Sequence, residues 1–172
     1  MTELKNWVGV IGTLLGAIAG GGIAFIVSSR QIKHQRALER EKRDLYNFER
    51  IHELLSSVAH NAGILSTQVL GQIGFGDPIK PDAIGGMIPT EELRMKVDFY
   101  APSLKPEVDQ IAEHLLILSR TVAEAIMTEQ RTGEWKTKTV LAAATASAGI
   151  LKLTDAAKRK LNELVAPYTH AA

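Results

Sequence analysis

The segment Glu49-Arg50-Ile51-His52 has the spacing in this chain that most resembles a metal-binding motif. Glu-x-x-His on a helix puts a carboxylate and an imidazole on one face, as in di-iron carboxylate bundles. Such sites need a second pair of this kind, and the other candidate is the adjacent Glu113-His114, whose side chains would point about 100° apart on a helix. We therefore expect no metal and no cofactor, with Glu49 on a solvated surface and His52 partly buried.

Other reactive side chains also lack a catalytic pattern. The chain has no cysteine, which excludes disulfides, zinc-thiolate sites and cysteine nucleophiles. Gly74-Phe75-Gly76-Asp77 and Gly85-Gly86 follow no predicted strand and lack the Gly-Lys-Ser/Thr of a phosphate loop. No Gly-x-Ser-x-Gly turn surrounds the serines on predicted helices, which are Ser56, Ser57, Ser66 and Ser119. We expect a protein without catalytic activity.

An uncharged run of 21 residues, 7–27, dominates the N-terminal part of the chain. About 20 apolar residues in a helix are enough to cross the hydrocarbon core of a bilayer. A cleaved secretory signal is the alternative, because Ala17-Ile18-Ala19 matches a cleavage site and Lys5 gives a basic start. The run continues well past Ala19, which favours an uncleaved single-pass anchor over residues 1–29.

Basic residues follow this run. Residues 30–43 contain six cations against Glu39 and Glu41, and the cations are Arg30, Lys33, Arg36, Arg40, Lys42 and Arg43. By the positive-inside rule the N-terminus is expected outside the cell and the C-terminal domain in the cytoplasm, at the inner or plasma membrane. The cluster either sets topology alone or also attracts anionic lipids. Overall, 20 basic and 19 acidic residues give no case for nucleic acid as a partner.

The glycines of the apolar run form a row. Gly12, Gly16 and Gly20 recur every four residues, a doubled Gly-x-x-x-Gly pattern. Small residues on one face let membrane helices approach closely. Glycine is also simply common in membrane helices, but the large apolar side chains here mostly occupy other faces. We expect this row to be an oligomerisation face of a homo-oligomer.

The rest of the chain has the pattern of long helices. Residues 30–44 are expected to form a helical stalk, and residues 45–167 a helical bundle followed by a tail at 168–172. Apolar residues recur at heptad spacing at Leu45, Phe48, Ile51 or His52, Leu55, Val58, Ala62, Leu65 and Val69. A short helix is predicted from Thr90 to Tyr100, a long one from about Lys105 to Arg131, and a last one over residues 134–165, stopped by Pro167.

One long loop is predicted at residues 71–89, where five glycines and three prolines oppose helix formation. The loop is too apolar for a free linker, so it either packs on the bundle or contacts a protein partner. The candidate contact residues are Ile73, Phe75, Ile79, Ile84, Met87 and Ile88.

Residues 139–151 are thirteen uncharged positions between Lys138 and Lys152. The run is too short for a second membrane span. Its many alanines favour a buried bundle helix whose backbone lies close to a neighbouring helix.

Together these patterns predict an all-α protein: an N-terminal transmembrane helix, a stalk, and an antiparallel bundle of three long helices and one short helix. The leading hypothesis is a membrane-anchored interaction or scaffold protein that self-associates and binds an unidentified cytoplasmic protein. One alternative is a glycine-zipper pore-forming or lysis-type protein, and another is a ligand sensor or enzyme with its pocket between helices.

Overall fold

The structure, a computed structural model, describes the backbone of residues 2–76, 88–127 and 133–169, and the side chains of 31–76, 88–127 and 136–168. Its helices are α1 (Thr2–Phe75), α2 (Thr90–Tyr100), α3 (Lys105–Ile126) and α4 (Gly133–Thr169), with a 3-10 turn at Pro102–Leu104. These ranges contain no strand, which confirms the all-α class. The chain divides into two units, Met1–Arg43 and Asp44–Ala172, and the second is a helical bundle.

The bundle core contains most of the predicted heptad positions. On α1, Ile51 is fully buried and His52 is exposed, so the isoleucine occupies the position that the heptad pattern left open. Each fully buried aliphatic side chain stabilises the fold by roughly 1.5–3 kcal/mol. The buried residues at the predicted positions are Phe48, Ile51, Leu55, Val58, Ala62, Leu65 and Val69 on α1, and Val108, Ile111, Leu115, Leu118, Val122 and Ala125 on α3.

Contacts between distant residues fix the directions of the long helices. Phe48 near the start of the bundle meets Tyr168 edge to face, with ring centroids 5.9 Å apart, and Ser147 Oγ lies 3.5 Å from the Ala62 carbonyl oxygen. Helix α4 therefore runs antiparallel to α1. It also runs antiparallel to α3, because Lys160 donates to Glu107 while Gly149 lies under His114. Helices α1 and α3 consequently point in the same direction.

Several helix ends differ from those predicted. Helix α1 ends at Phe75 rather than near Leu70, because Ile73 gains burial against the core when the helix continues. Pro167 lies inside α4, where the helix continues to Thr169 and carries Tyr168 to its contact with Phe48. Thr90 is the first helical residue of α2 rather than its cap, which is Pro89. At the ends of α1 and α4, tertiary packing outweighs the local preference.

Helix α4 has an apolar stretch of its own. Within the described part of the chain, Lys136–Tyr168 is the one helical segment long and apolar enough to cross a membrane by length and composition. A core helix of a soluble bundle passes the same test, and one face of α4 contributes Ala143, Ala146 and Ile150 to the bundle core.

The predicted membrane span, residues 7–27, lies on α1, whose backbone is helical throughout this range. Side chains before residue 31 lie outside the described ones, so the span and its glycine row stay predictions. The final residues of the predicted tail, 170–172, are also outside the described range.

The closest helix approach that the structure describes at a glycine is at Gly149. A Cβ atom built there would lie 2.8 Å from Cε1 and Nε2 of the His114 ring. We expect Gly149→Ala to lower the free energy of unfolding by about 1 kcal/mol, because the cost of overpacking exceeds the gain in helix propensity. Urea denaturation followed by circular dichroism measures the change.

Gly63→Ala is the matched control, since a Cβ at Gly63 meets nothing within 4 Å. It should stabilise the protein by up to about 1 kcal/mol. Replacing His114 with Ala should remove the penalty of Gly149→Ala. An equal loss with and without His114 would contradict the proposed steric cause.

Candidate functional site

Charged residues converge where α2 packs between α1 and the start of α3. Leu93 and Val97 anchor α2 in the bundle core and are both essentially inaccessible to solvent. Around this apolar contact, α2 presents both acidic and basic side chains. We refer to this region as the α2 corner; it comprises Asn47, Arg50, Glu53, Glu92, Arg94, Lys96, Asp98, Lys105 and Asp109.

A two-point contact joins α1 to α2. Arg50 Nε donates to Glu92 Oε1 at 2.8 Å and Arg50 Nη2 donates to Glu92 Oε2 at 3.0 Å, while Nη1 reaches Glu53 on the same helix at 3.1 Å. Hydrogen bonding to the Arg50 guanidinium is the main cause that lowers the pKa of Glu92. The same pairing raises the pKa of Arg50.

Lys96 makes the second link between these helices. Its Nζ donates to Oδ1 of the buried Asn47 at 2.6 Å and lies 5.6 Å from the centre of the Tyr100 ring. A cation over an aromatic face is attracted by the ring quadrupole. Asn47 and Arg50 on α1 thus meet Lys96 and Glu92 on α2, so the two helices run antiparallel here.

Two further pairs join α2 to α3. Lys105 Nζ lies 3.0 Å from Asp98 Oδ1, and Arg94 Nη2 lies 3.5 Å from Asp109 Oδ1. The hydrogen bond to Asp98 raises the pKa of Lys105. The four charges surround a cavity of about 230 Å³, which Val97 and Val108 also line.

The chemistry of the α2 corner is that of a structural contact. Apart from Lys96, which donates to Asn47, its charged side chains form oppositely charged pairs, and it contains no cysteine, serine or histidine to act as nucleophile or base. Exposed ion pairs contribute little individually to stability, but a bidentate arginine–carboxylate pair fixes geometry. The corner therefore sets the position of α2 against α1 and α3.

The structure corrects one assignment in the candidate metal motif. Glu49 is exposed, as expected, but His52 is exposed rather than partly buried. Because Ile51 points into the core, the side chains of Glu49 and His52 lie on the solvent side of α1. Among the residues whose side chains are described, no three of His, Cys, Asp and Glu are grouped to hold a metal ion.

The predicted partner-contact residues divide into three sets. Ile73 is on α1, partly buried against the core, and Ile88 packs against the core just before α2. Phe75, the last residue of α1, is 86% exposed. The remaining three, Ile79, Ile84 and Met87, lie outside the described residues.

The basic residues predicted to act at the membrane surface lie together on α1. Lys33, Arg36, Arg40, Lys42 and Arg43 are all exposed. The side chain of Arg30 lies outside the described residues, as do the surroundings of Gly12, Gly16 and Gly20.

Sequence reasoning missed an apolar surface on α2. Met95 and Phe99, four residues apart and therefore on one face, are 51% and 77% exposed. Tyr46, next to the Asn47 that binds Lys96, is 65% exposed. The i, i+4 spacing of Met95 and Phe99 was the available signal, but spacing alone did not say which face of α2 is buried.

A shallow groove of about 450 Å³ runs along α1. Gln68 Oε1 beside it is buried and has no hydrogen-bond partner among the described residues, and the same holds for Nδ1 of His114 and Oε2 of Glu107 elsewhere in the bundle. The described residues that line the groove are Ala59, His60, Gly63, Ile64, Thr67 and Gln68.

These features define an all-α bundle protein whose described polar clusters hold helices together. No protein-family model, no curated protein and no solved structure matches the chain.

The Arg50–Glu92 contact predicts a pH dependence of stability. Because the folded-state pKa of Glu92 is lowered, the contact stabilises the protein above the unfolded-state pKa, about 4.3, and is lost as pH falls through the folded-state value. Glu92→Gln should reduce the urea midpoint at neutral pH and shrink the drop between neutral and acidic pH.

Glu91→Gln is the control, because the neighbouring carboxylate is exposed and belongs to none of the ion pairs described above. Its neutral-to-acid drop should match that of the unmodified protein. If Glu92→Gln keeps the full drop, the contact does not contribute to acid sensitivity.

Proposed function

We propose that this protein is a membrane-anchored helical interaction module, self-associated through its N-terminal helix, with no catalytic activity of its own. The observation that carries the proposal is the uncharged 21-residue run at 7–27, followed directly by a basic segment. Length and flank together are typical of a single-pass anchor with its C-terminal side in the cytoplasm.

The position of the basic segment supports this direction. Lys33, Arg36, Arg40 and Lys42 follow the apolar run closely, and all four are solvent-exposed on α1. Cations next to a span set its orientation most effectively when they lie within 15–20 residues of its end. All four of these cations lie within that distance of residue 27.

The glycine row supports self-association. Gly12, Gly16 and Gly20 lie on a helical backbone and recur every four residues, so they share a face of α1. In lipid, close packing of backbones supplies the association energy that the hydrophobic effect supplies in water.

The surface of the bundle supports an interaction role for the second unit. Phe99, Met95 and Tyr46 expose large apolar side chains beside the α2 corner, and Phe75 is exposed where the predicted contact loop begins. Exposed aromatic residues are enriched at protein interfaces. The partner expected at these residues is a cytoplasmic protein.

Topology provides the first test. In intact cells treated with external protease, a tag after Ala172 should be protected and a tag before Met1 should be cleaved, because the basic flank keeps the C-terminal side in the cytoplasm. Detergent permeabilisation is the control that must expose both tags. The reverse pattern would refute the proposed orientation.

Self-association provides the second test. Gly16→Ile should weaken association of full-length chains, measured by energy transfer between labelled copies in liposomes, because the branched side chain separates the helix backbones. Gly22→Ile, about 120° away around the helix, is the control and should leave association intact. Equal effects of both changes would exclude this face, and dye leakage from the liposomes would favour a pore instead.

A further inference from the structure

The exposed cations of α1 form a row along one side of the helix. Lys33, Arg36, Arg40 and Arg43 follow at steps of three, four and three residues. On a helix these positions fall within about 80° of the circumference and extend over about 15 Å. All four side chains are exposed. We call them the basic row.

The acidic residues of this segment lie beside the row. Glu39 flanks it on one side and Glu41 on the other, and Lys42 points to the opposite side of the helix. Arg43 also interacts within the chain, so Lys33, Arg36 and Arg40 are the residues on which an external anion would depend. No ion pair to any of these three occurs among the described side chains.

Such a row is unfavourable for an isolated helix. Like charges at i, i+3 and i, i+4 repel and lower helix stability, and the basic row contains three such steps in succession. Topology alone does not require it, because the positive-inside rule depends on the number of cations near the span and not on their face. A flat array of negative charge along one side of the helix would relieve the repulsion.

We propose that the basic row binds the anionic headgroups of the cytoplasmic leaflet, with the helix tilted so that this side faces the bilayer. The proposal rests on the anchor proposed above, since it needs residues 7–27 in the membrane. Lys33 then lies about 9 Å of helix beyond the span, near one Debye length at physiological salt. A tilted helix brings one face toward the lipid, so only cations that share that face reach the surface.

The absence of cysteine makes a direct test available. A fluorophore on Ala37→Cys, an exposed position next to the row, is placed in the full chain and reconstituted in phosphatidylcholine vesicles with or without phosphatidylserine. Quenching by nitroxide lipid labelled at the headgroup reports approach to the surface. Each basic residue near an anionic surface is worth about fivefold in binding. We therefore expect phosphatidylserine to favour the surface-bound position of the row by at least about fivefold, which appears as stronger quenching. High salt should abolish the difference.

A rearranged variant distinguishes the effect of the cations' arrangement from the effect of their number. It exchanges neighbouring residues at two places, by Gln35→Arg with Arg36→Gln and by Arg40→Glu with Glu41→Arg. The variant keeps composition and net charge but spreads the cations around the helix. The phosphatidylserine-dependent quenching should fall to the level in neutral vesicles. Undiminished quenching in this variant, or equal quenching of the original sequence in both lipids, would overturn the proposal. Loss of the phosphatidylserine-dependent quenching on addition of soluble phosphate or short RNA at low concentration would also overturn it.

Alkaline carbonate extraction of the same vesicles distinguishes the two proposals. If the chain resists extraction but its quenching does not depend on phosphatidylserine, the anchor is supported and the proposed role of the basic row is wrong. If the chain is extracted, the proposed membrane anchor is itself wrong.

Discussion

Burial of one apolar side of α1 is the constraint on which the bundle depends. From Phe48 to Val69 this helix presents heptad residues that no local structure covers. At roughly 1.5–3 kcal/mol for each fully buried side chain, exposing this side to water would outweigh the net stability of a typical domain. Helices α3 and α4 supply the matching apolar surfaces, so α1 and α4, which more than fifty residues separate in sequence, become neighbours.

The shared direction of α1 and α3 follows from this packing and gives α2 its role. Both helices run antiparallel to α4, as the contacts of Tyr168 with Phe48 and of Lys160 with Glu107 require. Helix α2 runs antiparallel to α1 and comes directly before the 3-10 turn and α3 in the chain. Leu93 and Val97 bury it, while Glu92 and Lys96 fix it to α1 through directional bonds.

The two units of the chain differ in how their charges are used. In the bundle, the cations of the α2 corner meet acidic or polar partners, and these contacts position helices. In the first unit, Lys33, Arg36 and Arg40 follow one another along a single side of α1, and none of the three forms an ion pair among the described side chains. Arrangement rather than net charge distinguishes them, since the whole chain carries only +1. The first arrangement positions helices, and the second is the one to which our proposal assigns an external anion.

The sequence by itself determined the all-α class, the short helix from Thr90 to Tyr100 and nearly all buried apolar positions of α1 and α3, because burial of one side of a helix makes apolar residues recur at heptad spacing. It could not decide between Ile51 and His52, or foresee that α4 continues past Pro167. Those outcomes depend on which neighbour offers burial, as Phe48 does for Tyr168. The Arg50–Glu92 pair and the close contact between the His114 ring and Gly149 join positions that no local sequence pattern relates. Only the tertiary structure decided them, because the packing of whole helices sets which side chains meet.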